Sequence, residues 1–217
     1  MHIHPGSQDK YTYLSGKTDG YQTNERHSGG KTHYELCQRL VGTGKYEEAS
    51  FAIVLTARIE EFHTPETFHH IARWFEVGIR NWAHTDVLCG LVLGPFLKKS
   101  VVALEAFLPW RESQWKYQRR AVPVATIEIL DSQPGAARLL AFVEPLMMDG
   151  EKVVRQGMGW FLRELWKREP KPVEAFLLKY KDTAPRLIFQ YATEKMTPAA
   201  KARFRRSRSP ECPTGAA

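Results

Sequence analysis

The sequence has almost nothing that reads as a β-strand. No alternating apolar and polar run is bounded by a hairpin turn, which sets aside barrels and sandwiches. Cysteine is scarce: Cys37 and Cys89 lie in apolar helical patterns and Cys212 lies near the C-terminus. An odd number without C-x-x-C spacing predicts reduced thiols in a cytoplasmic setting, and no metal site follows from it. Long hydrophobic runs are also missing. The longest, Val87 to Leu97, falls far short of the roughly 20 residues that span a bilayer. The opening Met1-His2-Ile3-His4 lacks the basic and apolar regions of a signal peptide, so no membrane association is expected.

What is present is a chain of 217 residues, long enough for one domain or a short repeat array with a substantial core. Lys and Arg outnumber Asp and Glu, 31 to 24, for a net charge of +7. That excess favours a polyanionic partner, although many basic proteins bind nothing anionic. Residues 1–30 are rich in Gly, Ser, Thr, Asp and Asn and read as a loosely ordered arm.

From Thr32 the apolar spacing becomes helical. The pattern predicts helices over Tyr34–Val41, then over Tyr46–Phe62 with Phe51, Leu55, Ile59 and Phe62 on one stripe. Thr64 as cap and Pro65 at the first helical position start another, carrying Phe68, Ile71, Ala72, Phe75 and Ile79. Further segments follow over Val101–Leu108, closed by Pro109, and over Glu112–Leu130, which Pro123 should kink or end early. Ala136–Met148 and Glu151–Arg168 form a pair around Asp149-Gly150, and Val173–Lys179 and Ala184–Lys195 complete the series. About ten short helices in pairs of roughly 35–40 residues have HEAT-like spacing. An all-α curved solenoid over residues 31–200 is therefore expected, with a simple bundle as the alternative and 201–217 as a basic polar tail.

The stretch Asn81-Trp82-Ala83-His84-Thr85-Asp86 opens an apolar helical run ending near Phe96. At about 100° per residue, Leu88, Leu91, Val92 and Pro95 form its apolar stripe, with Trp82 and Asp86 on the other side. A second helix buries Val154, Met158, Phe161, Leu162 and Leu165, and sets Trp160 beside Gln156, Arg163 and Lys167. Two outward tryptophans, one carboxylate and nearby cations describe a binding site. Each has a plainer reading: Trp82 as core, Asp86 as a helix cap or surface charge, and Trp160 packed on a neighbour through Gly159. His84 reads as structural. Arg120 points away from a Trp115, Val122, Ile129 stripe, to grip a phosphate or to be solvated, and Arg119 adjoins it.

Taken together, four ordered segments resemble the AlkD-type DNA alkylation repair proteins, the HEAT-like alkylpurine DNA glycosylases. They are Asn81 to Leu88, Trp115 to Val122, Gly157 to Glu164 and Arg186 to Met196. The resemblance covers about residues 45–200, and upstream only Gly20 to Arg26 is similar to the family's segment before its second repeat. It implies a superhelix with a concave face for duplex DNA. It also implies Asp86 as the catalytic aspartate, Trp82 and Trp160 as aromatic cleft residues, and Arg120 as a DNA-contacting arginine. Arg119, Arg163 and Lys167 would add phosphate contacts.

The activity implied is hydrolysis of the N-glycosidic bond of cationic alkylpurines, such as 3-methyladenine and 7-methylguanine, as the first step of base excision repair. No metal or organic cofactor is implied, and the protein is expected to act as a monomer. Two rivals remain: a non-catalytic HEAT-like module for damaged or branched DNA, and a protein-binding scaffold with incidental basic charge.

Overall fold

The computed structural model describes residues 33–132 and 135–207, so the expected N-terminal arm and the end of the tail lie outside the described residues. Within them every regular element is helical. Residues 33–42 form α1. It is followed by α2 (Tyr46–Arg58), α3 (Pro65–Val77) and α4 (Trp82–Leu88), which runs through a π turn at Cys89–Leu93 into α5 (Gly94–Lys98). A 3-10 segment, Leu104–Glu112, precedes α6 (Lys116–Ala125), and α7 (Ala136–Val143), α8 (Lys152–Arg168), α9 (Pro170–Tyr180), α10 (Arg186–Ala192) and α11 (Pro198–Ala202) complete the order.

Helix α2 packs on α4, α4 on α6, α6 on α8 and α8 on α10, so the even-numbered helices form one continuous layer. Helices α7 and α9 pack on each other and α9 on α8, beginning a second layer. Most contacts run between helices one or two places apart along the chain, which is the packing of an α–α solenoid.

Local signals explain most helix starts. Thr64 caps α3 through a reciprocal pair with Thr67, and Pro65 sits where its missing N–H costs nothing. Pro170 and Pro172 lie in the first turn of α9, so that helix begins at Pro170, three residues ahead of the expected Val173. Pro123 sits inside α6, which ends two residues later at Ala125. The expected helix at Val101–Leu108 is instead the 3-10 segment that includes Pro109.

Two predicted stripes are corrected. In α2 the buried face is Ala49, Ala52, Ile53 and Thr56, while Phe51 is 58% exposed. Phe51 lies off that face, whereas Ile59 of the expected stripe is buried and Leu55 packs against the core. In the organising run, Leu88 and Val92 are buried as expected but Leu91 is exposed, and Cys89, Leu93 and Phe96 take up the core. Thr85, Leu88, Cys89, Val92 and Phe96 recur at helical spacing, so the buried face is centred away from Leu91, which lies within the π turn. The expected tail boundary at residue 200 falls inside α11, and Phe204 beyond it is buried. Arg186 donates to the Phe204 carbonyl at 2.9 Å and Arg206 to that of Ala184 at 3.3 Å, which ties residues up to 207 to the start of α10.

Helix α8 sits between α6 and α10, and a glycine faces each neighbour. A Cβ on Gly157 would lie 3.2 Å from Arg120 Cγ, and one on Gly159 would lie 2.4 Å from Tyr191 Cβ and 2.8 Å from the Ile188 carbonyl oxygen. The second contact includes backbone and cannot be relieved by a side-chain rotation. Gly159→Ala is expected to destabilise the protein by about 1–3 kcal/mol in urea unfolding. Gly90→Ala, whose Cβ meets nothing within 4 Å, is the control and should be neutral or slightly stabilising.

Candidate functional site

Asn81 fixes the start of α4. Its side-chain oxygen accepts from the His84 N–H at 2.8 Å, and its amide nitrogen donates to His84 Nδ1 at 2.8 Å. With Nδ1 accepting, Nε2 carries the proton and donates to the Tyr46 carbonyl at 3.0 Å, while the Tyr46 ring stacks on the imidazole. His84 therefore joins α4 to α2, and its structural reading holds. Because Asn81 is the cap, Asp86 is not one. Trp82, at the first helical position, is 61% exposed, so its reading as a core residue fails.

One turn after Trp82, Asp86 meets Arg120 of α6 in a two-point ion pair. Arg120 Nε donates to one carboxylate oxygen and Nη2 to the other, each at 2.8 Å, and Nη1 donates to the Val153 carbonyl of α8 at 2.7 Å. Every guanidinium nitrogen is used within the protein. The expectation of an outward Arg120 gives way to a residue only 5% exposed, packed where Gly157 leaves room. Of the pair, the carboxylate is the end nearer solvent, with its side chain 16% exposed against 7% for the arginine.

Arg119 is also engaged. Its Nε donates to Asp149 at 2.6 Å and its Nη1 to the Ser113 carbonyl at 2.6 Å. On α8, Trp160 is half-buried against the core, and Gln156, Arg163 and Lys167 share its ridge as expected. Arg163 pairs with Glu164 and Glu194, and Lys167 pairs with Glu164. Burial works to raise the Glu164 carboxyl, but hydrogen bonds from Lys167 and Arg163 hold it below its ordinary value. All four cations expected to meet phosphate thus have carboxylate partners of their own. The Glu164–Lys167 pairing was legible in the i, i+3 spacing. Nothing local marks Asp149 or Glu194 as partners, since they come from other segments.

The structure brings Asp86 and Arg120 into contact, with Trp82 one turn before Asp86 and Trp160 one turn after Gly157, which packs on Arg120. This arrangement offers a largely buried carboxylate, its side chain 16% exposed, held by a guanidinium that is buried more deeply still. A family model described as DNA alkylation repair enzyme matches residues 18–196 of the chain, including the Gly20 to Arg26 segment. The chain belongs to that family, which carries a role in DNA alkylation repair with DNA as the partner. Comparison with curated proteins and with solved structures found no match. No helix among the described residues is long and apolar enough to cross a membrane.

Two predictions follow from the buried polar contacts. Arg120→Met leaves Asp86 without its counter-ion and is expected to cost about 3–5 kcal/mol, much of it recovered in the Asp86→Asn, Arg120→Met double variant. Additive losses in that cycle, read by urea unfolding, would show that the pair does not couple the helices. Burial pushes the His84 and His63 imidazoles below their ordinary value of 6.5, with their hydrogen bonds to the Tyr46 and Thr56 carbonyls opposing it in part. Each is harder to protonate folded than unfolded. Their contribution is complete above pH 6.5 and declines as pH falls through it. The urea midpoint should therefore drop between about pH 7.5 and 5.5, and less so in His84→Gln.

Proposed function

We propose that the protein is a monofunctional DNA glycosylase that hydrolyses the N-glycosidic bond of cationic alkylpurines in duplex DNA, acting in base excision repair with no metal or organic cofactor. The observation that carries this reading is the Asp86 carboxylate, 16% exposed over a more deeply buried Arg120 and one turn from the exposed Trp82.

The chemistry needs little more. An N3- or N7-alkylated purine is already cationic, so the C1′–N bond breaks with its electron pair passing to the base, which departs neutral without a general acid. Positive character appears on the deoxyribose. A carboxylate anion beside C1′ stabilises that oxocarbenium ion and orients the water that adds to C1′. Arg120 occupies one lone pair on each Asp86 oxygen and leaves others for water. Faces of Trp82 and Trp160 favour cationic character in the sugar between them. A single carboxylate is enough, whereas neutral glycosides call for a pair. Arg163 and Lys167 meet phosphate from the α8 ridge while Glu164 tempers their charge. Arg119 and Arg120, drawn inward by Asp149 and Asp86, serve the DNA by holding the groove in shape.

The rival is a non-catalytic module for damaged or branched DNA, and one observation favours it. Asp86 has a structural partner in Arg120, so a pure binder has its own reason to keep the carboxylate.

Base release from duplex DNA containing 7-methylguanine, under single-turnover conditions, decides between the two. Asp86→Asn is expected to slow release on the order of a hundredfold with DNA binding retained, and Trp160→Ala about tenfold. Efficient excision of neutral bases such as uracil or hypoxanthine would contradict the mechanism. Salt-sensitive binding without release by the natural protein would leave the module.

A further inference from the structure

Tyr191 has no role in the site described above, yet the close packing of α8 on α10 is built around it. Gly159 is bare on the side where Tyr191 lies, and any Cβ there would strike that of the tyrosine. The Tyr191 hydroxyl accepts a hydrogen bond from Gln156 Nε2 at 2.7 Å. Gln156 stands one turn before Trp160 on the ridge of α8 that also carries Arg163 and Lys167. With its oxygen accepting from Gln156, the phenol has its own O–H left to give. No acceptor for that proton is found among the described residues, and the residue is only partly buried.

We infer that Tyr191 is a backbone-contacting residue, donating its hydroxyl proton to a phosphate oxygen of the DNA strand that passes over Trp160. A phosphate oxygen is the fitting acceptor. It is anionic, it recurs along the strand whatever the sequence, and it accepts from neutral hydroxyls as well as from cations. The nearest cations on this ridge, Arg163 and Lys167, are already compensated by Glu164 and Glu194, so a neutral donor adds a contact without adding charge. Gln156 acts as the positioning residue, since it fixes the direction in which the O–H points. Gly159 and Trp160 are adjacent, so one turn of α8 sets both the tyrosine and the tryptophan.

The inference rests on the DNA-facing reading of this ridge, but not on base release. Its test is binding of a fluorescent duplex containing 7-methylguanine, measured over a range of salt for the natural protein, Tyr191→Phe and Gln156→Leu. Tyr191→Phe keeps the ring against Gly159 and should weaken binding roughly tenfold, as loss of one hydrogen bond to a charged acceptor would. The slope of log affinity against log salt should not change, because a hydroxyl displaces no counter-ion. Gln156→Leu should weaken binding less, with the hydroxyl still present. A duplex set with single methylphosphonates at successive positions then locates the contact. One position should weaken the natural protein and leave Tyr191→Phe unaffected.

Unchanged affinity in Tyr191→Phe, or equal methylphosphonate effects in both proteins at every position, would overturn the inference. So would weaker binding accompanied by a lowered unfolding midpoint and no position-specific coupling. Loss of affinity with the coupling intact, in a protein that releases no base, would sustain Tyr191 and sink the glycosylase reading alone.

Discussion

The ion pair between Asp86 and Arg120 is the constraint on which the site depends. Taking both charges out of water is expensive, and their attraction repays it only when the geometry is good and the remaining hydrogen-bonding groups are satisfied. Both conditions hold: the contact is two-pointed, and the third guanidinium nitrogen reaches the Val153 carbonyl. Three successive helices of the even-numbered layer are thereby set in register at one side chain. Such a pair contributes more to fixing one arrangement of helices than to net stability. The same geometry leaves the carboxylate the more accessible end of the pair and its counter-ion the deeper one.

Around that pair the layer is shaped by what is absent as much as by what is present. Gly157 leaves space for the Arg120 stem, and Gly159 leaves space for Tyr191. Leu91 faces outward within the π turn, and Cys89 lies inward near Asp86 and Arg120, where burial drives its thiol well above the ordinary range. A thiol held neutral there adds no charge beside the carboxylate.

Charge on the ridge is more balanced than a net of +7 suggests. Arg119, Arg120, Arg163 and Lys167 each answer a carboxylate, so these side chains carry little uncompensated charge. Under the proposed function, contacts of such a surface to the DNA backbone would not read sequence.

The helical class, the cap at Thr64, the buried face of α8 and the outward setting of Trp82 are all legible in the order of the residues. Periodicity and capping chemistry act within a few residues, so they are written locally. The resemblance of four segments also pointed to the family that the match over 18–196 then showed. Only the tertiary structure decided that Arg120 turns inward to Asp86, that Arg119 is held by Asp149, that Leu91 faces out, and that Phe204 is buried beyond the last expected helix. The partners in each case lie many residues apart or on another helix. A guanidinium is as suited to a phosphate in solvent as to a carboxylate across a helix interface, and which it meets depends on where the neighbouring helices place that carboxylate.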